Sequence, residues 1–399
     1  MFSVDKIERQ EELKSPRRRA TRPGCYFFAG GGTGGHIYPA IAIAQKIKRL
    51  QPEATIVFFC SNRAIDAQIL APGEFEYVAL PGRAFSARPD KAAAFGLSFA
   101  RSYRIAARKI RSVMRDAGET TRAVVIGAGG FASAPAVIAG RRAGAAVAIV
   151  NVDIVPGKAN RLLATFAQKI FVQFADTAES FGKAKDRTVV AGCPLRAGFE
   201  SADGANAIAQ LGLDAAKKTL VVTGASSGSM NINQATATVL RQLDAFAPTW
   251  QVVHLTGGAA DLRNHQARGA SAKIACHIVD YYDDMASLLA AADLVAGRAG
   301  AVSVAEYAAG RTPAICLPYP YHKDRHQYLN AAKLVAAGAA VIVDDIPDDP
   351  NATANALAEQ LKTLMADDNK RNQMAAAAAA AANTTAAAKI AAMIVALSD

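Results

Sequence analysis

A chain of 399 residues, 51% of them apolar and with a formal net charge of +11, is too long for one ordinary core and predicts two domains with filled interiors. The charge suits an anionic partner, whether nucleic acid, membrane surface or phosphorylated substrate, without choosing among them. Five cysteines without paired spacing (Cys25, Cys60, Cys193, Cys276 and Cys316) exclude a disulfide framework and predict buried, reduced thiols in a cytoplasmic protein. The first residues lack the apolar core of a signal peptide, and no stretch of about 18 residues is uninterruptedly apolar, so neither secretion by that route nor a membrane span is expected.

In chain order, residues 1–23 place Arg17, Arg18 and Arg19 among prolines and charges with no apolar period. They predict a flexible basic extension, a solvated tail rather than a nucleic-acid arm. From Cys25 onward short apolar runs alternate with longer helical stretches, as in CYFFA then PAIAIAQKIKRL and AVVIG then PAVIAGRRAG. That alternation predicts βαβ units and a mainly parallel sheet. Residues 91–117 predict a helix with two stripes: Phe95, Phe99, Tyr103, Ala106, Ile110 and Val113 on one face, Arg101, Arg104, Arg108, Arg111 and Arg115 along another. The apolar stripe fits a domain core as well as a membrane. The arginine stripe, uninterrupted by an acid before Asp116, suits anionic lipid headgroups at about 1 kcal/mol per cation.

A hinge is expected near Cys193-Pro194-Leu195, because TLVVTG and NQATATVLRQL then restart the α/β pattern. The expected boundaries are 24–197 for the first domain, 198–370 for the second and 371–399 for an Ala-rich terminal helix packed on a domain surface.

Glycine-rich turns follow apolar strands in both halves: GGGTGGH (30–36) and GAGGFAS (127–133), then GASSGS (224–229) and GRAGAVS (297–303). Glycine lets the backbone approach a ligand, and the helix that follows offers unpaired N–H groups to phosphate. Two such turns per half, all at carboxyl ends of strands, predict a cleft where those ends face each other. None is a P-loop, since no Gly-Lys-Ser/Thr follows, and no acid closes the second strand VFFCSNRA as a dinucleotide site requires. A redox cofactor is set aside; a sugar nucleotide or a lipid diphosphate remains.

His36 stands at a helix start, either as a loop-capping histidine or as a neutral ring able to accept a proton. Glu306 lies one turn into another helix, where a carboxylate either complements the dipole or accepts hydrogen bonds from a ribose diol. The segment PYPYHKDRHQYLNA (318–331) gathers Asp324, His326, Gln327 and Asn330, groups suited to sugar hydroxyls. A metal is conceivable at His322 and His326 but is set aside for want of a third ligand of matching spacing.

Taken together, GGGTGGHIYPAIAIA (30–44), GAGGFASAPAVIA (127–139), PGKANRLLA (156–164), GCPLR (192–196), DDMASLLAAADLVAGRAGAVSVAE (283–306) and HKDRHQYLNA (322–331) resemble the MurG family of bacterial cell-wall glycosyltransferases, over roughly residues 25–370. The resemblance implies an α/β protein of GT-B fold, two Rossmann-like domains whose parallel sheets face across a cleft. It also implies an inverting enzyme that moves N-acetylglucosamine from UDP-N-acetylglucosamine to lipid I, forming lipid II in peptidoglycan synthesis. Its implied partners are the UDP-sugar, a lipid-linked muramyl diphosphate acceptor and an anionic membrane surface at the cytoplasmic face of the cell membrane. No cofactor, metal or nucleic acid is implied.

Position by position, Thr33, Gly34 and Gly35 would face the acceptor diphosphate and the donor sugar, with His36 beside them as a candidate base. Arg196 would lie near the nucleotide and Ser226 near the donor diphosphate, while the Tyr282 backbone would contact uracil. Ala301, Val302, Ser303, Val304 and Ala305 would form the helix start under the diphosphate, Glu306 would hold the ribose, and Gln327 and Asn330 would read the sugar hydroxyls. Two departures stand out. Val150-Asn151-Val152-Asp153 replaces the family's His-Glu-Gln-Asn, making Asp153 an alternative base or signalling a different acceptor, and GASSGS replaces a Gly-Gly-Ser-Gln-Gly-Ala type loop. The alternatives are a related GT-B transferase acting on another membrane lipid, or a non-catalytic UDP-sugar-binding partner of a cell-wall complex.

Overall fold

The computed structural model describes residues 23–82, 89–118, 121–226, 228–257 and 272–398; the expected basic extension, apart from its last residue, lies outside them. Seven strands form the first sheet: β1 (Cys25–Gly30), β2 (Thr55–Ser61), β3 (Glu76–Leu80), β4 (Ala123–Gly129), β5 (Ala146–Asn151), β6 (Lys169–Val172) and β7 (Thr188–Val190), in the order β3-β2-β1-β4-β5-β6-β7. Six form the second: β8 (Lys218–Thr223), β9 (Trp250–Leu255), β10 (Ala275–Val279), β11 (Leu294–Gly297), β12 (Ala314–Cys316) and β13 (Ala340–Ile342), in the order β10-β9-β8-β11-β12-β13. Neighbouring strands are parallel throughout, as in β1 against β2 and β4 and β8 against β9 and β11.

The central strands β1 and β4 are almost continuously apolar and buried, as strands covered on both faces must be. In β1, Tyr26 and Phe28 enter one core while Cys25, Phe27 and Ala29 enter the other. The core on the inner faces is shared between the halves, since Ile37 and Ile43 belong to the same cluster as Val221, Leu289 and Tyr307. Both sheets reverse their winding beside the first strand, between β1 and β4 and between β8 and β11. Those are the switch points where an open α/β sheet leaves a crevice.

The Ala-rich tail differs from the single terminal helix expected. It is two helices, Asp368–Ala381 and Ala386–Leu397, broken at 382–385. The second returns to the first half and packs on the helix Gly34–Leu50, with Ser398 Oγ 3.0 Å from the Tyr26 hydroxyl. At the crossing, Asn383 Nδ2 donates to the Ala191 carbonyl at 3.0 Å and Lys389 Nζ to that of Val190 at 2.9 Å. The two chain crossings therefore brace one another. Mean hydropathy over an 18-residue window of Asp368–Leu397 reaches 1.5, enough for a span by composition. Ala378, Ile390, Ala391 and Ile394 use that apolarity within the shared core.

The helix Pro89–Asp116 divides along its length. Ala106, Ile110 and Val113 are buried in the first-half core, whereas the five arginines stay exposed and Leu97 is 75% exposed. The cysteines are free thiols, four buried and Cys276 half-buried. Burial pushes the thiols of Cys60, Cys276 and Cys316 up to about 12, which keeps them protonated and unreactive.

Candidate active site

A cavity of about 480 Å³ lies between the carboxyl ends of the two sheets. Thr33, Gly34, Gly35, His36, Tyr38 and Asp153 line it from the first half, and Arg196 from the crossing segment. The second half contributes Gly224 to Ser226, Tyr281 and Tyr282, Arg298, Ala301 to Ser303, Glu306, His322, His326 and Gln327.

The first glycine loop is shaped by a residue the sequence reading passed over. Asp66, fully buried, accepts the Gly32 N–H with both carboxylate oxygens (2.8 and 2.9 Å), and Oδ2 also accepts the Ser61 N–H (2.8 Å) and hydroxyl (2.6 Å). The acid missing from the end of the second strand thus stands five residues later and is used on the loop itself. A Cβ on Gly31 would fall 2.3 Å from Asp66 Oδ2, so the close approach requires glycine. Asp66→Asn turns one acceptor into a donor facing backbone N–H groups. It should cost about 1–3 kcal/mol in urea unfolding and lower kcat by displacing His36; wild-type stability would mean that water replaces the lost bonds.

His36 occupies the first turn of the helix Gly34–Leu50, whose N-cap Thr33 makes no side-chain capping bond. Its Nδ1 lies 3.1 Å from the Gly31 carbonyl and 3.3 Å from Thr33 Oγ1. A carbonyl can only accept, so in the neutral ring Nδ1 carries the proton and Nε2 keeps its lone pair. The GAGGFAS turn buttresses this ring: a Cβ on Gly129, where φ is +104°, would sit 2.9 Å from Nε2.

In the second half, the helix Ala301–Ala309 starts at Gly300 without a side-chain cap, so the N–H groups of its first turn have no intrahelical partner. Ala301, Val302 and Ser303 line the cavity; Val304 and Ala305 instead line a smaller cavity of about 250 Å³ with Asn330. Of the five residues expected at this helix start, three line the main cavity. Arg298, absent from the expected site, lies beneath it with an 8% exposed side chain. It pairs with Asp345 at 2.5 Å and donates to Ser229 Oγ at 2.6 Å and the Leu317 carbonyl at 3.1 Å.

Arg196 and Glu306, expected separately near nucleotide and ribose, meet at 2.9 Å, while Arg196 Nη1 donates to the Asp283 carbonyl at 2.8 Å. The Arg196 guanidinium also lies 4.4 Å from the centre of the Tyr38 ring. Tyr38 and Tyr281, neither of them expected, share a hydrogen bond across the cleft. Burial, then that bond, pushes the Tyr38 phenol above its ordinary value. The neighbouring Tyr282 hydroxyl donates to Gln210 Oε1 at 2.8 Å.

The departure at 150–153 takes a defined form. Asn151 is buried and donates to the Asp153 carbonyl at 2.7 Å, and its Oδ1 accepts from Asn160 at 3.0 Å. Asp153 Oδ1 accepts from Asn330 Nδ2 at 3.0 Å, and Asn330 Oδ1 accepts the Ile154 N–H at 3.1 Å. Asn330 is fully buried and outside the main cavity lining, and its amide joins the two halves through Asp153 and Ile154. Gln327 does line the cavity, with Oε1 accepting the Tyr319 N–H at 3.0 Å.

Asp324 stands beside the two histidines as a third donor group. His322, Asp324 and His326 bring their ligating atoms within 4.8 Å of one another. Burial, then the neighbouring His326, holds the His322 imidazole below its ordinary value. Burial opposes ionisation of Asp324, but hydrogen bonds from His326 hold its carboxyl below the usual range.

Two parallel-sheet domains with amide-lined switch points turned toward a common cavity define the GT-B fold, the architecture of a large class of glycosyltransferases. Residues 26–172 match the glycosyltransferase family 28 N-terminal domain and residues 219–392 its C-terminal domain. The chain is 34% identical over 330 residues to the UDP-N-acetylglucosamine--N-acetylmuramyl-(pentapeptide) pyrophosphoryl-undecaprenol N-acetylglucosamine transferase of Clavibacter michiganensis, covering 82% of this chain and 84% of that protein. It is 33% identical to the protein of the same name from Desulfitobacterium hafniense, covering 79% and 85%. The crystal structure of Acinetobacter baumannii MurG matches with a TM-score of 0.68 at 23% identity, over 93% of this chain and 99% of its own. UDP-GlcNAc 2-epimerase from Neisseria meningitidis, bound to UDP-GlcNAc, matches with a TM-score of 0.64 at 13% identity, over 92% and 98%. At those identities the two structures speak for the fold alone. The chain belongs to glycosyltransferase family 28 and, within it, to the MurG family; it is a glycosyltransferase.

Proposed function

We propose that this enzyme transfers N-acetylglucosamine from UDP-N-acetylglucosamine to a lipid-linked muramyl diphosphate, lipid I, with inversion. The observation that carries the reading is one cavity lined by two uncapped helix starts, at Gly34 in the first half and Ala301 in the second, with His36 in the first turn of the former. The amides of Ala301 to Ser303, with Ser226 across from Gly34, hold the donor diphosphate, and Thr33 to Gly35 hold the acceptor diphosphate. Glu306, one oxygen anchored by Arg196, accepts the ribose hydroxyls; the Tyr282 backbone meets uracil and Gln327 reads the sugar.

His36 Nε2 takes the proton of the muramyl 4-hydroxyl as its oxygen bonds to the anomeric carbon, and the bond from that carbon to the UDP oxygen breaks. The charge that develops on UDP is met by the helix-start amides, a field organised before reaction. The exposed arginine stripe, with Leu97 near its beginning, serves an anionic membrane surface.

Glu306→Ala removes a charged acceptor and should raise the KM for UDP-N-acetylglucosamine by about 10- to 100-fold. Unchanged donor kinetics would sink the ribose role. Transfer of labelled N-acetylglucosamine to lipid I, run beside diacylglycerol and polyprenyl acceptors, tests the whole reading. The rebuilt Asn151–Asp153 turn favours a second reading, another membrane-lipid acceptor, which preferential labelling of one of those lipids would support. Tight UDP-sugar binding with no transfer would instead mark a non-catalytic partner.

A further inference from the structure

The turn His322-Lys323-Asp324-Arg325-His326 doubles back on itself. Arg325 takes a left-handed conformation (φ 49°), its N–H donates to the His322 carbonyl at 3.0 Å, and the chain then enters the helix His326–Ala336. This brings the two imidazole rings to a centroid separation of 4.4 Å. His322 Nδ1 lies 3.2 Å from His326 Nδ1, which lies 2.7 Å from Asp324 Oδ1.

Protons can be shared among these three atoms in more than one way, and none of those arrangements uses all three lone pairs at once. A proton on His326 Nδ1 satisfies Asp324 and leaves the His322 lone pair directed at an N–H already in use. A proton on both nitrogens sets two donors against each other. Removing both places nitrogen and carboxylate lone pairs face to face. A single cation would accept a lone pair from each of the three at once.

The dimensions also suit one. Ligand bonds of about 2.0–2.2 Å around a tetrahedral zinc-type ion place neighbouring donor atoms roughly 3.3–3.5 Å apart. The imidazole pair already stands at 3.2 Å; the His326–Asp324 pair, at 2.7 Å, has to open, which the 52% exposed Asp324 side chain is free to do. Two imidazoles and one carboxylate select zinc, cobalt or nickel over magnesium or calcium, which favour all-oxygen sites.

We propose that His322, Asp324 and His326 bind one divalent transition-metal ion of the zinc type at the rim of the cavity. Both histidines line that cavity, so positions not filled by protein open toward it. Bound metal ties the turn to the first residue of the helix that carries Gln327, stiffening one wall of the cleft. The proposal does not depend on the identity of the acceptor.

The test is titration of the chelator-treated full-length protein with zinc by calorimetry and with cobalt by visible absorption. One equivalent is expected to bind, with a nitrogen- and oxygen-ligated cobalt spectrum and a raised Tm, while magnesium at the same concentration gives neither. His326→Gln and His322→Gln should each weaken zinc binding at least tenfold. Unchanged affinity in the double variant would overturn the site. So would a thiolate charge-transfer band from cobalt in the native protein, a readout that stands even if a variant folds poorly.

Discussion

Replacing His36 with glutamine is expected to lower kcat by about 10²- to 10⁴-fold, the usual worth of a general base, and to leave the KM for UDP-N-acetylglucosamine nearly unchanged. Glutamine can still donate to the Gly31 carbonyl from its amide, so the loop keeps its shape while the lone pair of Nε2 is lost. Asp153 is the competing base, and its Oδ1 already accepts from Asn330. Asp153→Asn faces the Asn330 amide with either an oxygen or a second NH2 group, and the former preserves the clamp. Steady-state kinetics of both variants against lipid I, with UDP binding measured separately, decide the matter. A collapse of kcat confined to Asp153→Asn would transfer the proton-accepting role to the aspartate.

The second large effect is on stability. Arg298→Met is expected to destabilise the folded enzyme by about 3–5 kcal/mol, because it strands the buried Asp345 carboxylate. The two side chains are 8% and 2% exposed, and Asn231, which also bonds Asp345, cannot neutralise its charge. The same change frees Ser229 Oγ and the Leu317 carbonyl, loosening the second-half glycine loop from the strand behind it. Urea unfolding monitored at Trp250, buried in the second-half core, measures the loss. A loss under about 1 kcal/mol, the range of an exposed pair, would show that water reaches the site and screens it. Donor affinity should fall as well, since the loop that carries Ser226 loses its tie through Ser229.

Asp66 and Arg298 show why part of the site was hidden. Each is one charged residue in an unremarkable local context: Asp66 reads as an ordinary first-turn acid, Arg298 as one more cation in a basic chain. Their importance comes from burial beside loop backbone that is distant in sequence, Gly32 in one case and Leu317 in the other. Asn330 was hidden in a different way. Its placement beside Gln327 on a helix start was legible, but only the docking of the two halves turns its amide to Asp153 and the Ile154 N–H. Val304 and Ala305 follow helical geometry: once Ala301 to Ser303 face the cavity, the next two residues turn to the other side of the helix.

By itself the sequence determined what depends on local pattern. Alternating apolar and helical stretches specified two parallel α/β units, because strands covered on both faces must be continuously apolar. Glycine spacing marked the strand ends where backbone approaches a ligand, and ordered motifs identified the transferase family. The tertiary structure alone decided how charges were spent. It paired Arg196 with Glu306, joined Tyr38 to Tyr281 across the cleft, sent the Ala-rich tail back to the first half as a second helix, and folded His322, Asp324 and His326 around one point. Hydrogen bonds and ion pairs act over a few ångströms of space, whatever the distance along the chain, so their partners emerge only when the two halves close.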